Sequence, residues 1–472
     1  MNKTCLHRVS PVLFFLLLAL PQVPCCEAGI GERVLEARLA NGLKVILLEN
    51  HRTPTITFQV WYRVGSRNED WGKTGLAHVL EHMMFKGTKK VSGPGFLRRI
   101  ESNGGNYNAF TSGDFTAYFE TLSADRIQVA LDLESDRMRN LILRSEDFHT
   151  ERMVVIEERR MRTDDNPQAY LQEQVEAAAF QAQPYHWPII GWSDDLARLT
   201  LEDLRAFYKT YYAPANAFIV AVGDFKKEEF LAGIRKSFGS IRSGIPPKYP
   251  GYRDPDQEGE RRVTVEKEAK LPSLLLAYHA VNLHNPDWSA LEVISGLLAG
   301  GRSSRLEESL VRTKGLARQV ETEYSQVTVD PGLFYISVDL LPGKDAAEAE
   351  EVLDGEIARL QKEPVGDEEL ERARNRLEAE FTMAQDSLFS QGMLLAQFEI
   401  GGGWKAIDDY VPSIRRVTAQ DIQRVADKYL RKSNRTTGVL VPLPYSGEKA
   451  EPSGPAIKEK VIRHTRETGG NQ

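Results

Sequence analysis

The sequence predicts an α+β protein made of two homologous modules in tandem. Stretches that alternate apolar and polar residues, as half-buried strands do, are interspersed with stretches of helical periodicity. A segment near the middle of the chain is repeated near its end. Between the two copies lies a stretch rich in proline, glycine and charge, which is typical of a linker. We therefore expect each module to be a mostly antiparallel sheet with helices packed on one face.

Length and charge agree with this class. The chain has 472 residues, more than one hydrophobic core usually organises, so two domains are expected. Apolar residues make up 41% of the chain, enough for globular cores, and the net charge is −7. Binding of nucleic acid calls for a basic excess, so we expect no nucleic-acid partner.

Residues 1–28 predict a secretory signal peptide. Lys3 and Arg8 precede the apolar run Val12–Leu20, and small residues around Ala28 offer a cleavage site. The run is too short to span a bilayer. We expect export to the periplasm, with secretion or lipid anchoring as alternatives. All three cysteines lie in this leader, at Cys5, Cys25 and Cys26, so the mature chain would contain no disulfide.

The first module is predicted to span residues 31–242. It begins with a hairpin around Asn41-Gly42, a pair that favours a type I′ turn, and a third strand at Thr55–Val64. Helical periodicity starts near Gly75. The remaining predicted elements are a strand at Tyr107–Thr121 and helices at Gly93–Asn103, Ser123–Leu141, Ser145–Met161 and Pro167–Gln181.

The internal repeat defines the second module. Leu199–Gly223 resembles Val417–Val441, and the matched residues are 218 positions apart, as Thr200 is from Thr418. Each copy is predicted to be a capped helix, a turn at an asparagine (Asn216 or Asn434) and a closing strand. We therefore expect a linker at 243–260, a second module at 261–443 and a polar, disordered tail at 444–472.

The helix that starts near Gly75 carries two histidines and a carboxylate. His78, Glu81 and His82 are spaced i, i+3 and i+4, so all three project from one helical face. Two neutral imidazoles on adjacent turns can bind one Zn²⁺, and the carboxylate is then placed to bond a water molecule. The order is the inverse of the H-E-x-x-H zinc motif. The alternative is two surface histidines beside a solvated glutamate.

A catalytic zinc generally has three protein ligands, so a third ligand must come from elsewhere. The helix after His149 offers carboxylates on a largely apolar face, where an unpaired charge is costly. The residues at i, i+3, i+4, i+7 and i+10 on this face are Glu151, Val154, Val155, Glu158 and Met161. This spacing favours Glu158 over its neighbour Glu157, which suits a solvated face, without excluding Glu157.

These features together resemble the M16 family of zinc peptidases, which includes pitrilysin, insulin-degrading enzyme and the mitochondrial processing peptidase. The resemblance rests on His78-x-x-Glu81-His82, on Glu158, on the strand Asn108–Glu120 and on a second half without the motif. It covers roughly residues 31–443 and is similar to the short, two-module bacterial subfamily. It implies that the two modules form half of a clamshell chamber.

The resemblance also implies roles for individual residues. His78, His82 and Glu158 would hold one Zn²⁺ per chain, Glu81 would be the general base, and Glu151 would support the ligands. Asn108, Ala109 and Phe110 match the family strand on which the substrate lies as an added β-strand. On the sequence alone, Asn108 could equally start an ordinary strand and Phe110 fill the core.

The second module departs from the family pattern. In the family, an arginine and a tyrosine of this module bind substrate and stabilise the oxyanion. Arg312 lies near the arginine position, but Arg318 and then Gln319 stand where the tyrosine would follow Gly-Leu-Ala. The resemblance therefore implies a homologous, zinc-less partner subunit that carries the intact pair, as a heterodimer. The alternatives are a homodimer, or a single chain in which Arg318 replaces the tyrosine.

The function expected from the sequence is that of an exported zinc metalloendopeptidase that cleaves peptides or unfolded segments. A non-catalytic scaffold or assembly subunit is the alternative from another class, and the intact ligand set argues against it. A different metal hydrolase is a third hypothesis, but the second module offers no further ligands for a two-metal site.

Overall fold

A computed structural model describes residues 30–249 and 251–444. The predicted signal peptide and, except for Pro444, the predicted tail lie outside the described residues. Within the described ranges, none of the helices is both long and apolar enough to cross a membrane. The helix and strand bounds agree with an α+β chain of two modules, while the proposed domain limits remain predictions.

The first module is built on a six-stranded sheet in the order β1-β2-β6-β3-β5-β4. Only β2 and β6 are parallel, and every other neighbouring pair is antiparallel. The strand β4 lies at one edge of the sheet. The strands are β1 (Val34–Arg38), β2 (Lys44–Glu49), β3 (Thr55–Tyr62), β4 (Asn106–Thr111), β5 (Thr116–Ser123) and β6 (Ala217–Gly223).

The second module repeats this topology on a five-stranded sheet in the order β7-β11-β8-β10-β9. Its one parallel pair, β7 and β11, corresponds to β2 and β6, and the edge strand β9 corresponds to β4. The strands are β7 (Arg261–Glu268), β8 (Ser273–His279), β9 (Ala317–Tyr324), β10 (Leu333–Leu340) and β11 (Arg435–Leu443). The duplication predicted from the 218-residue offset is therefore present in the strand order.

The helices of the first module are α1 (Leu76–Met83), α2 (Gly93–Ser102), α3 (Gln128–Asn140), α4 (Ser145–Arg159), α5 (Pro167–Ala179), α6 (Ser193–Arg198), α7 (Leu201–Tyr211) and α8 (Lys227–Phe238). Those of the second are α9 (Trp288–Ala299), α10 (Ala346–Lys362), α11 (Asp367–Met383), α12 (Leu388–Gly401), α13 (Tyr410–Arg416) and α14 (Ala419–Tyr429). The described residues also contain two π-helical segments, Arg160–Asp164 and Glu307–Thr313, and several short 3-10 helices.

The duplication extends to single hydrogen bonds. Helices α7 and α14 both begin with a capping box, from Thr200 with Asp203 and from Thr418 with Asp421. After each helix an asparagine side chain donates to the carbonyl of the helix-terminal tyrosine. The two distances are 3.0 Å from Asn216 to Tyr211 and 2.8 Å from Asn434 to Tyr429. The repeated residues therefore perform the same structural task in both modules.

Each sheet has two apolar faces, and the two faces are covered from different modules. In the first sheet, Val45, Phe58 and Val60 pack on the module's own helices, while Trp61 and Phe218 face the core that contains Leu395 and Phe398 of α12. Helix α12 contacts β3 and β6. In the second sheet, α5 of the first module contacts β7, β8 and β11. Helices of the same module thus cover one face of each sheet, as predicted. The other face is covered by one helix of the other module, so α5 and α12 are exchanged between the modules.

Two local predictions are corrected by the structure. The loop after β1 is not a two-residue type I′ turn at Asn41-Gly42, because Gly42 N–H donates to Leu39 O (2.9 Å), which centres the turn on Ala40 and Asn41, and Gly42 follows this turn with φ 90°. The Asn41 side chain is instead used to bond the carbonyls of Phe238 and Ile241. The single strand predicted at Tyr107–Thr121 is a hairpin of β4 and β5, with its turn at residues 112–115.

The exchanged helix α5 approaches β11 closely at Gly438. A Cβ built there would lie 2.3 Å from Cγ2 of Val175 and 3.0 Å from Cδ1 of Leu171. Val175 is fully buried and stiff at χ1, so it cannot move aside without cost. We expect Gly438→Ala to lower the stability by about 1–3 kcal/mol through overpacking.

The matched control is Gly355→Ala, on the exposed face of α10, where an added Cβ meets nothing within 4 Å. This change should be neutral or stabilise by roughly 0.5–1 kcal/mol, because alanine favours a helix over glycine. Chemical denaturation followed by circular dichroism compares the two variants. Equal midpoints would contradict the close packing at Gly438.

A second prediction concerns Glu292 in α9. Burial raises the pKa of its carboxyl group to about 7, partly opposed by the hydrogen bond from Tyr410 (3.0 Å). Part of the side chain remains accessible, but Oε2 is buried and has no hydrogen-bond partner among the described residues. The folded state therefore holds a proton that the unfolded state releases near pH 4.5.

Stability should consequently fall as the pH rises from about 4.5 to about 7 and level off above that, by an amount on the order of 1–3 kcal/mol from this group. Glu292→Gln removes the titration. We expect the variant to match the wild type near pH 4 and to be more stable at pH 8. Thermal unfolding at both pH values measures this difference, and a variant less stable at pH 8 would contradict it.

Candidate functional site

The helix that carries the histidines begins at a constrained position. Gly75 adopts φ 90° before α1, and a Cβ there would lie 2.7 Å from Ile190 O. The buried Glu69 carboxylate accepts N–H bonds from Gly75 and Ala77, both 2.7 Å. A carboxylate at a helix N-terminus satisfies backbone donors and complements the helix dipole. These contacts fix where α1 starts and in which direction it runs.

Helix α1 separates its apolar and polar faces. Leu76, Val79, Leu80 and Met83 are buried in the core of the first module. Because of the 3.6-residue period, His78, Glu81 and His82 share the other face, as the sequence predicts. This face is turned toward α4, so the side chains of α4 complete the cluster.

Glu158, near the end of α4, lies opposite the two histidines. Its Oε2 is 3.3 Å from His82 Nε2 and 3.8 Å from His78 Nε2. One ligand atom from each of the three residues lies within 4.8 Å of the others. Among the described residues this is the one group of three or more His, Cys, Asp or Glu that could hold a metal ion. Glu157, the alternative, is exposed and paired with Arg160.

The donor set fits a zinc ion. Bonds of about 2.1 Å in a tetrahedral arrangement place ligand atoms about 3.4 Å apart, close to the separations found here. Metal binding needs neutral imidazole, and burial, with the charges of His82 and Arg162, lowers the pKa of His78 to about 3. His78 Nδ1 is buried without a hydrogen-bond partner within the described chain. Three protein ligands would leave a fourth position open.

Glu151 fixes the orientation of His82. The imidazole Nδ1 donates to Glu151 Oε2 (3.1 Å), which leaves Nε2 directed at Glu158. Lys86 forms an ion pair with the other oxygen of Glu151. The hydrogen bond from His82, together with Lys86, lowers the pKa of Glu151 despite partial burial. Burial lowers the pKa of His82, but Glu151 and the neighbouring carboxylates have the larger effect, so the pKa of His82 is raised. A carboxylate in this position raises the basicity of a histidine ligand.

Glu81 is held from the edge strand. Thr111, the last residue of β4, donates its hydroxyl to Glu81 Oε2 at 2.6 Å. Burial raises the pKa of Glu81, and the bond from Thr111 offsets part of that rise. Within the described residues the second oxygen of this carboxylate has no hydrogen-bond donor, so it is available to accept a proton from a bound molecule.

Three residues of this site were missed by sequence reasoning: Thr111, Lys86 and Arg162. Arg162 pairs with Glu158 Oε1 at 2.8 Å, one helical turn after it. It is the only lysine or arginine lining the cavity within the described residues. The spacing i, i+4 from Glu158, and equally from His82 to Lys86, could have identified two of the three. Thr111 could be recognised only once the hairpin was known.

The site opens into a cavity of about 1040 Å³ between the two modules. The edge strand β4 forms one wall, with Asn108, Ala109 and Phe110 all at the lining. Asn108 is exposed, whereas Phe110 packs edge-on against Trp61 (5.7 Å between ring centroids) and so also fills the core. Strand β4 pairs with β5 alone among the described strands, so its other edge is open.

The second module contributes the opposite wall of the cavity, through residues such as Glu323, Thr328 and Tyr335. Arg312 and Arg318 are not part of it. Arg312 lies in a π-helical segment and pairs with Glu308 (3.0 Å), and Arg318 on β9 pairs with Asp339 (2.8 Å). The structure therefore does not bring these two arginines to the histidine cluster within one chain.

Both halves of the chain match models of one family. Residues 44–192 match the model described as Insulinase (Peptidase family M16), and residues 198–377 match the one described as Peptidase M16 inactive domain. The first match contains the histidine cluster with Glu158, and the second contains no part of it.

Individual proteins are also similar to the chain. The zinc protease PqqE of Helicobacter pylori is 34% identical over 411 residues, which cover 86% of this chain and 92% of that protein. A crystal structure of a protease from Helicobacter pylori has a TM-score of 0.83 at 32% identity, covering 87% of this chain and 99% of the other. A peptidase M16 inactive domain from Pseudomonas fluorescens shares the fold, with a TM-score of 0.77 at 17% identity over 87% and 98% of the two chains.

A pair of adjacent variants tests the third ligand. Glu158→Gln should lose bound zinc, because an amide is a far weaker zinc ligand than a carboxylate. Glu157→Gln changes the same residue type one position earlier, on an exposed side chain, and should retain it. Zinc per chain is measured by mass spectrometry of the metal after dialysis. Retention in the first variant together with loss in the second would assign the ligand to Glu157.

Proposed function

The chain belongs to peptidase family M16, and we propose on this premise that it is a zinc-dependent endopeptidase acting on peptides or unfolded segments. The observation that carries the proposal is the convergence of His78, His82 and Glu158 beside Glu81 on one wall of a cavity. Zn²⁺ held by these three side chains would polarise the scissile carbonyl and make a water molecule a stronger acid.

Glu81 is proposed to act as the general base. Its raised pKa, due to burial, suits a group that must take a proton from water and give it to the departing amine nitrogen. Thr111 binds one oxygen of the carboxylate and so leaves the other to face the cavity. Glu151 and Lys86 hold His82 in place, and Arg162 holds the second oxygen of Glu158.

The open edge of β4 is proposed to bind the substrate backbone. A peptide that adds to this edge as a further strand gains main-chain hydrogen bonds whatever its sequence. Thr111 ends the same strand and contacts Glu81, so a peptide paired with β4 would run toward the general base. Such binding needs an extended chain, which favours peptides and unfolded segments over folded proteins.

A zinc-less homologous partner is part of the proposal. The cavity contains Arg162 but neither Arg312 nor Arg318, which supports a source of oxyanion stabilisation outside this chain. An oxyanion donor contributes roughly 2.7–4 kcal/mol, so its absence would lower the rate about a hundredfold or more. Export and removal of residues 1–28 are likewise proposed, on the basic and apolar pattern of the leader.

The competing function is that of a non-catalytic subunit. The second half of the chain, which matches an inactive domain and lacks the ligands, favours it. The first half of the chain argues against a non-catalytic subunit. A site without a catalytic task would not need three metal ligands and a base held in contact by hydrogen-bonded partners.

One experiment separates these functions. Residues 29–472 are purified alone and tested for zinc content and for cleavage of an unstructured, quenched fluorescent peptide. Stoichiometric zinc with chelator-sensitive cleavage would mean that one chain suffices. Zinc with only slow cleavage would support the missing partner, and a chain without zinc would support the non-catalytic subunit.

The variant Glu81→Gln tests the mechanism. We expect it to retain zinc, since Glu81 is not one of the three ligands, and to lose activity by at least the ~10²–10⁴-fold that general bases contribute. Zinc content and kcat are measured on the same preparation. Cleavage at the wild-type rate would remove Glu81 from the mechanism.

A further inference from the structure

The turn that ends the edge strand β4 is clamped between the two modules. This turn, residues 112–115, follows Thr111 directly and lines the cavity. From the first module, Ser66 N–H donates to Ser112 O (3.1 Å) and Arg67 N–H donates to Gly113 O (3.0 Å). From the second module, Val329 N–H donates to Asp114 Oδ2 (3.1 Å). The position of β4 is therefore set partly by residues far along the chain.

A buried polar cluster surrounds Asp114. The Tyr185 hydroxyl donates to Asp114 Oδ1 at 2.6 Å and accepts the Asp330 backbone N–H at 3.3 Å. The Arg67 guanidinium pairs with Asp114 (3.3 Å) and with Asp330, the latter on the loop between β9 and β10. The exposed fractions of Arg67, Asp114 and Asp330 are 3%, 8% and 7%.

The burial of these charged side chains requires an explanation. Charged groups that leave water are costly unless paired, and two carboxylates with one guanidinium do not balance in charge. A buried network of this kind fixes the geometry of its members, because only one arrangement satisfies the hydrogen bonds of each side chain. Here the geometry that is fixed is that of the turn next to Thr111, whose hydroxyl holds Glu81.

We propose that Asp114, Arg67, Tyr185 and Asp330 form a positioning cluster through which the second module holds the substrate-binding edge strand and Thr111 in register with the general base. The proposal rests on the proposed function and states what the second module contributes to that function. Asp330 and Val329 reach the turn from the second module, although the Arg312 and Arg318 side chains of that module do not reach the cavity.

The cluster has a matched counterpart away from the edge strand. Glu399 of α12 is as buried as Asp330, with 6% exposed, and also joins the modules, through Lys44 (2.9 Å) and Arg63 (2.5 Å). These partners lie at the ends of β2 and β3, not on the β4 hairpin. Loss of either carboxylate disturbs a buried intermodule ion cluster, but only the loss of Asp330 should affect β4.

The test compares Asp330→Ala with Glu399→Gln. Hydrogen–deuterium exchange of the peptide that covers Asn106–Thr111 should be faster than in the wild type for Asp330→Ala and unchanged for Glu399→Gln. For Asp330→Ala, kcat/KM should fall by about 10- to 100-fold, as expected for a misplaced reacting group, with zinc content unchanged. Tyr185→Phe removes a single hydroxyl and should shift both readouts in the same direction if Asp330→Ala does not fold.

Unchanged exchange of β4 in both Asp330→Ala and Tyr185→Phe would overturn the proposal, and so would an equal loss of kcat/KM in Glu399→Gln. The exchange measurement does not depend on catalysis. If the wild type neither binds zinc nor cleaves the peptide, the proposed function fails, and the hydrogen–deuterium exchange of β4 alone still decides whether the cluster positions the strand.

Discussion

Each sheet in this protein has two apolar faces, while its own module covers only one of them. The second face is covered by one helix of the other module, α12 on the first sheet and α5 on the second. Burying apolar surface is the dominant favourable contribution to folding, so neither sheet is complete alone. This reciprocal cover fixes the two modules relative to each other and, with them, the cavity that lies between β4 and the loop between β9 and β10.

The parts of the site depend on this arrangement of the two modules to different degrees. The three candidate ligands come from α1 and α4 alone, whose mutual position is set by the core of the first module. Each candidate ligand is also held by a partner of opposite charge or by burial: His82 by Glu151, Glu158 by Arg162 and His78 by burial. The strand that faces the ligands, by contrast, is held across the module boundary. The proposed zinc site is therefore built by one module, whereas the proposed substrate-binding strand is positioned by both.

Much of this was accessible from the sequence because the signals were local or repeated. The spacing of His78, Glu81 and His82 indicates one helical face, and the constant offset between Thr200 and Thr418 indicates the duplication. The apolar stripe assigned to α4 was only half correct. Val155 is buried, but Val154 and Met161 are 44% and 63% exposed, since both lie about 100° or more around the helix axis from Val155. The packing of α5 and α12 on the other module's sheet and the clamp at Asp114 join residues far apart in the chain, 215 positions for Val329 and Asp114, which no local pattern encodes.

The packing of α5 and α12 on the sheet of the other module has a consequence for how the chain folds. Strand β3 ends at Tyr62, whereas the helix that covers its second face begins at Leu388. During synthesis, more than 300 residues must therefore emerge before that apolar face can be covered. Contacts of such long sequence separation slow folding and leave apolar surface exposed for longer. The second apolar face of the first sheet therefore stays uncovered by α12 until the last fifth of the polypeptide arrives.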